Sequence, residues 1–242
     1  MEKTVSVIVR TKNEEATIRQ TLELITSQTR KPDEIILVDN NSQDRTQAIA
    51  KKFGCKIVNI DTPKYNHAFA CNEGMRNSSG DIVVFTNGHS KPVSDKWLES
   101  GLLHFDDKKI AGVFGSESFT KETTKIDKIG RRIAELYYPG LKGKHVYDKP
   151  SIMIGPGFLA TISAAIRRDL WKTHPFSEEI ATSGAGEDTE WGFYFLRKGF
   201  KVIVDPEFSV YHFHQVSLTK FFKRNINFYY SYFLAFQKSK NP

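Results

Sequence analysis

The chain has 242 residues, with 35 Lys+Arg against 28 Asp+Glu and a formal charge of +7. That length fits one α/β domain with a C-terminal appendage, and the charge favours an anionic partner such as a nucleotide, nucleic acid or anionic lipid. Cys55 and Cys71 make neither a disulfide framework nor a zinc ligand set.

Met1-Glu2-Lys3 leads straight into a strand-like run, so no signal peptide is expected and a cytoplasmic location is the default. Val5 to Val9 reads as a buried strand, followed by Arg10-Thr11-Lys12-Asn13-Glu14-Glu15. Thr11 or Asn13 is placed to cap the next helix, with the glutamates in its first turn. Ile18, Leu22 and Ile25 give that helix an apolar stripe at helical spacing. A second strand, Glu34 to Val38, closes on Asp39, whose carboxylate suits either a ribose or base or the capping of its own loop. Asn40 to Asp44 forms that loop, and a helix from Thr46 to Phe53 ends at Gly54. Ile57 to Ile60 is a third strand, and successive β-loop-α units imply a parallel sheet. No Gly-x-Gly-x-x-Gly follows the first strand, which argues against a dinucleotide cofactor.

Tyr65 to Asn77 reads as helical. Ile82 to Phe85 is an uncharged β-branched and aromatic run that stops at Thr86-Asn87-Gly88-His89. A strand ending in Asn-x-His delivers two ligating groups where open α/β sheets collect ligands; the alternative is a plain turn with a surface histidine. Trp97 and Leu98 begin another helix, Ile110 to Phe119 is a strand, and Lys121 to Lys149 is charged and irregular. Ala160 to Ile166 resumes a strand. A glycine-rich loop, Ser183 to Gly186, then runs into Glu187-Asp188-Thr189-Glu190-Trp191. Lys201 to Val204 is a strand, and Val210 to His214 carries His212.

In this order, Val-Ile-Val-Arg-Thr-Lys-Asn-Glu-Glu, Val-Asp-Asn-Asn-Ser-Gln-Asp-Arg-Thr, the strand from Gly80, Gly-Glu-Asp-Thr-Glu-Trp and Val-Tyr-His resemble the inverting family 2 glycosyltransferases. The resemblance covers roughly residues 4 to 216. It implies a GT-A fold over residues 1–216, a Rossmann-like, mostly parallel sheet flanked by helices; the amphipathic C-terminal helix of residues 217–242 is a separate feature read from its own residues. It implies a transferase moving a sugar from a nucleotide-diphosphate donor, uridine-linked, to a glycan or lipid-linked acceptor in cell-surface polysaccharide synthesis. Thr11, Glu14, Asp39 and Asn87 would contact the nucleotide, and Asp188 would be the base. Glu187 and Trp191 are candidate acceptor contacts; their alternatives are a helix-start acid and a core aromatic.

The family's Asp-x-Asp falls here on Asn87 and His89, with His212 completing the metal-facing set. Asn-Gly-His brings no charge when the imidazoles are neutral, so a divalent metal would arrive with the donor diphosphate, and manganese would serve better than magnesium. The competing account has no metal: protonated His89, with Lys91 or a loop lysine, neutralises the diphosphate. Rivals of another class are a non-catalytic sugar-nucleotide-binding module and a nucleotidyltransferase. The second would need a triphosphate loop that Arg10 to Glu15 does not provide.

The tail, residues 217–242, carries Lys220, Lys223, Arg224, Lys238 and Lys240 and no acid. Its longest uncharged stretch, Asn225 to Gln237, is shorter than the roughly 18–20 residues that span a bilayer. Phe222, Ile226, Tyr229, Phe233 and Phe236 recur along one side of a helix. Such a helix suits the inner face of an anionic membrane as a peripheral contact; the alternatives are packing on the catalytic domain or a homodimer. With the charge concentrated there and no recognised motif, nucleic acid is not expected as a partner.

Overall fold

The structure, a computed structural model, describes residues 3–61, 66–118, 143–151, 159–180, 186–212 and 218–239, with the single positions 128, 132, 136 and 154. Side chains at 218–225 and 228 lie outside that description.

Strand β1 (Val5–Thr11) is buried along its whole length and pairs in parallel with β2 (Glu34–Asn40) and β4 (Ile82–Asn87), while β3 (Lys56–Ile60) extends the sheet beyond β2. Because side chains alternate across a strand, Ile8 joins Ile36, Val83 and Phe85 on one face, and Val7 and Val9 join Leu37 and Val84 on the other. The first face is covered by α3 (His67–Arg76) and α6 (Glu187–Arg197), the second by α1 (Ile18–Thr26), α2 (Thr46–Lys51) and α4 (Trp97–Leu102). Each such aliphatic or aromatic side chain, fully buried, is worth about 1.5–3 kcal/mol.

The far half of the sheet is mixed. Strand β9 (Ala164–Arg167) runs antiparallel between β4 and β6 (Ile110–Phe114), and β10 (Lys201–Val204) runs parallel to β6. The edge strand β8 (His145–Tyr147), antiparallel to β10, lies inside the charged stretch that sequence reasoning left irregular. The order is β3-β2-β1-β4-β9-β6-β10-β8. A second, three-stranded sheet of β5 (Lys91–Pro92), β11 (Val210–Tyr211) and β7 (Glu117–Ser118) has β11 at its centre. Among the described residues the remaining elements are α5 (Arg168–Thr173), a 3-10 turn (Pro206–Phe208) and α7 (Leu218–Lys238).

Thr11 and Asn13 do not cap α1. Thr11 is the last residue of β1, Asn13 has φ 54°, and α1 begins after Thr17 with no side-chain cap and no acid in its first turn. The loop after β1 is instead sewn to the loop after β2: Asn13 N–H donates to Ser42 Oγ, Glu14 N–H to Thr46 Oγ1 and Glu15 N–H to Asp44. The strand expected from Ala160 begins only at Ala164, and the glycine-rich run 183–185 lies outside the described residues.

Helix α7 does not stand apart. Tyr232 and Phe236 pack edge-on against Phe193 of α6, with centroids 5.5 and 5.6 Å away. Lys238 Nζ reaches Glu179 at 2.8 Å. The opposite side exposes Ile226, Tyr229, Tyr230 and Phe233. The expected apolar side, wider than one packing stripe, is thus divided: Tyr232 and Phe236 belong to the packed side, and Ile226, Tyr229 and Phe233 to the exposed one. No described helix is long and apolar enough to cross a membrane.

Candidate active site

Most of the residues picked out in the sequence sit at the carboxyl ends of β1, β2 and β4, where the register sets Thr11 beside Asp39 and Arg10 beside Asn87. Asp39 is fully buried and accepts four bonds: from Thr11 Oγ1 (2.9 Å), Ser42 N–H (2.9 Å), Ser42 Oγ (2.6 Å) and Gln47 Nε2 (2.7 Å). An ionised carboxylate has about four lone-pair sites, so Asp39 holds its own loop here and reaches a nucleotide only by exchanging a donor.

Gly88 lets the turn after β4 approach the β1 loop: a Cβ there would lie 2.8 Å from Thr11 Cγ2 and 2.9 Å from Glu14 Cγ. That closeness sets His89 Nδ1 2.6 Å from Glu14 Oε1. The small sheet does the rest. Tyr211 pairs with Lys91 and with Ser118, so His212, one residue past β11, meets His89, just before β5. Their Nε2 atoms are 3.0 Å apart, the rings are stacked at 4.9 Å, and His212 Nδ1 contacts Glu117 Oε1 at 2.7 Å. A carboxylate can only accept, so each imidazole donates Nδ1–H to its glutamate and turns Nε2 toward the other. Two such lone pairs at this distance need a proton or a cation between them.

Carboxylate-backed imidazoles are the usual arrangement of metal-binding histidines. His89 and His212 therefore fit a divalent ion, with Glu14 and Glu117 behind them. Among the described residues no group of three His, Cys, Asp or Glu side chains converges as a metal site. Asn87 does not join the pair. Its Oδ1 accepts from Arg10 Nη2 at 2.9 Å, an assignment forced by a guanidinium that only donates.

Asp188 lies in the first turn of α6, after Gly186, whose φ of 112° favours glycine. Its Oδ2 accepts from Thr161 N–H (3.1 Å) and its Oδ1 from Thr189 N–H (2.7 Å). Burial pushes its pKa above the ordinary carboxylate value despite those bonds and the nearby Arg10 charge. Glu187, 1% exposed, is pushed up to about 8 by burial and by the neighbouring Asp188. Its Oε2 has no hydrogen-bond partner among the described residues. Cys71 beneath them is pushed up to about 12 by burial and remains a thiol.

Trp191 corrects an expectation. It is 0% exposed, between Phe176 and Phe195, so its ring offers no face to an acceptor sugar and serves the core.

Sequence reasoning assigned no role to Arg10, Thr161 or Glu117. A charge continuing an apolar strand was a visible signal for Arg10. Thr161 acts through its main chain, and Glu117 meets His212 only through the small sheet, so neither leaves a mark in the sequence.

The profile of the family "Glycosyl transferase family 2" matches residues 6–172. The chain is 29% identical over 196 residues to Glycosyltransferase AglE of Haloferax volcanii, covering 77% of this chain and 59% of AglE. It is 25% identical over 243 residues to the dolichyl N-acetyl-alpha-D-glucosaminyl phosphate 3-beta-D-2,3-diacetamido-2,3-dideoxy-beta-D-glucuronosyltransferase of Methanococcus voltae, covering 93% of this chain and 71% of that enzyme. Among solved structures it resembles the mannosyltransferase PcManGT from Pyrobaculum calidifontis in complex with GDP-Man and Mn2+. The TM-score is 0.68 at 18% identity, over 97% of this chain and 64% of that one, a likeness of fold. The chain thus spans between about three fifths and seven tenths of the length of these proteins.

Proposed function

The chain belongs to glycosyl transferase family 2, and from that premise we propose that it is an inverting transferase moving a sugar from a uridine-diphosphate donor to a glycan or lipid-linked acceptor in cell-surface polysaccharide synthesis. The observation that carries this reading is Asp188, a buried carboxylate held by two main-chain N–H groups at a helix start, with a raised pKa. Burial shifts Asp188 in the direction that makes a carboxylate a stronger proton acceptor. In the proposed step Asp188 takes the proton of the acceptor hydroxyl as that oxygen attacks the anomeric carbon. The bond from that carbon to the diphosphate oxygen breaks on the opposite face.

Thr11, Glu14, Asp39 and Asn87, at the ends of β1, β2 and β4, would frame the nucleotide. Asp39 would admit a base or ribose by giving up one of its four donors, and Gln47, on a half-buried side chain, is the natural one to leave. His89 and His212 would hold a divalent ion with Glu14 and Glu117 behind them, manganese in preference to magnesium because the donors are imidazoles. Such an ion, when bound, supplies positive charge to the departing diphosphate. Glu187 is assigned to the acceptor side. The protein would work at the cytoplasmic face of a membrane, with the exposed aromatic side of α7 toward anionic lipid; self-association through that side is the competing arrangement.

A thermal-shift panel of nucleotide sugars, with and without manganese, tests the donor, and transfer by Asp188→Asn tests the base. The variant should keep donor stabilisation and lose turnover by roughly 10²–10⁴-fold. Near-wild-type transfer would remove Asp188 from the mechanism, and a protein stabilised by no nucleotide sugar would overturn the reading altogether.

A further inference from the structure

Arg10 is 5% exposed inside a strand whose other residues are mostly apolar. By the alternation of β1 it points to the same face as Ile8, toward α3 and the start of α6. Its Nη2 donates to both Asn87 Oδ1 (2.9 Å) and the Thr161 carbonyl (3.0 Å), and Thr161 N–H donates in turn to Asp188 Oδ2 (3.1 Å). One guanidinium nitrogen therefore ties the end of β4 to the residue that holds the carboxylate of α6. Nη1 donates to His67 Nδ1 at 3.1 Å, so that imidazole is a neutral acceptor; burial and the Arg10 charge hold its pKa down to about 3.

The two carboxyls of α6 have unlike surroundings. Asp188 has N–H donors on both oxygens, which favour its charged form. Glu187 has an Oε2 without a partner among the described residues, and an ionised oxygen left that way in the interior is costly. A proton shared by the pair therefore rests on Glu187, and the charge rests on Asp188, the carboxylate that Thr161 presents to Arg10.

We propose that Arg10 is a positioning residue for the base: through the Thr161 main chain it fixes Asp188 against the end of β4, and its charge keeps Asp188 ionised while Glu187 stays protonated. Among the described residues the groups facing the pair are Arg10 from β1, Cys71 from α3, and the Thr161 and Thr189 main chains, with neutral His67 behind Arg10. Further along α6, Glu190 is engaged by His174 at 3.1 Å. Both carboxyls are held lower by Arg10 than burial alone would leave them.

The proposal rests on Asp188 being the base, so its primary test is read without substrate. Carboxyl ¹³C titrations of the full chain, assigned with Asp188→Asn and Glu187→Gln, are compared for wild type, Arg10→Gln and Arg10→Lys. Arg10→Gln should raise the apparent pKa of Asp188 by roughly 1–2 pH units, the size expected for a lost opposite charge in a protein interior. Arg10→Lys should return most of that shift, yet lower turnover, because one ammonium cannot reproduce the fork. In an active preparation the acid limb of kcat/KM should move with the titration. Folded Arg10→Gln with a wild-type titration overturns the proposal, as does Arg10→Lys shifted as far as Arg10→Gln. If Arg10→Gln does not fold, Arg10→Lys decides: a wild-type titration with reduced turnover supports it, and a shifted titration with wild-type turnover overturns it. A failure of the transferase reading would appear as absent turnover in wild type and leaves the titration comparison intact.

Discussion

Glu187 keeps its proton up to about pH 8 in the folded chain, against an ordinary value of 4.5, because burial and the adjacent Asp188 disfavour its charge. The folded state therefore binds more protons than the unfolded state between those values, and stability falls as pH rises through that window. Glu187→Gln removes the titrating group. Its melting temperature relative to wild type should accordingly rise from pH 4.5 to pH 8. A difference that stays flat with pH would mean that Glu187 is ionised in the folded chain. Asn87 carries a related lesson. Its carbonyl faces Arg10 rather than the histidines, so an aspartate at that position would form an ion pair with Arg10 before it met a metal.

At the scale of elements, α7 packs one side on the domain and leaves the other side exposed. Tyr232 and Phe236 are spent on α6, while Ile226, Tyr229, Tyr230 and Phe233 face outward with 56–68% exposure. A sequence stripe could not make that division, because an aromatic at helical spacing is the same residue whether it meets Phe193 or solvent. Replacing Tyr229, Tyr230 and Phe233 together with serine should barely change stability, since surface substitutions usually stay within about 0.5 kcal/mol each. It should weaken binding to anionic liposomes, and high salt should weaken wild-type binding likewise. Wild-type protein that ignores such liposomes at low salt would assign the face to self-association.

The molecule as a whole assembles the imidazole pair from distant parts of the chain: His89 and His212 are 123 positions apart, and Glu14 and Glu117 lie 75 and 95 positions from the histidines they hold. The small sheet centred on β11 closes that distance. Because the described protein offers two imidazoles and no directly coordinating carboxylate, manganese affinity should depend on a diphosphate partner. Calorimetry should find manganese binding tightened roughly 5–150-fold by uridine diphosphate, a typical coupling between two ligands. His89→Ala and His212→Ala should each lose most of it. Transfer at full rate in excess chelator, with donor affinity indifferent to manganese, would leave the pair as a proton-sharing structural contact.

By itself the sequence determined the alternating strands and helices of the first half, the order of the site segments and the family they belong to. Those features are local: Val5 to Val9 and Ile82 to Phe85 are apolar runs that read as buried strand, Asp39 and His89 follow where such runs stop, and Asp188 opens the helix after a glycine-rich loop. Only the tertiary structure decided what each polar group touches. It gave Asp39 to its own loop, Trp191 to the core, Asn87 to Arg10 and Glu14 to His89. It also placed β9 antiparallel in the middle of the sheet. Hydrogen bonds act over about 3 Å between residues brought together by folding, and no spacing along the chain records which donor an acceptor will find.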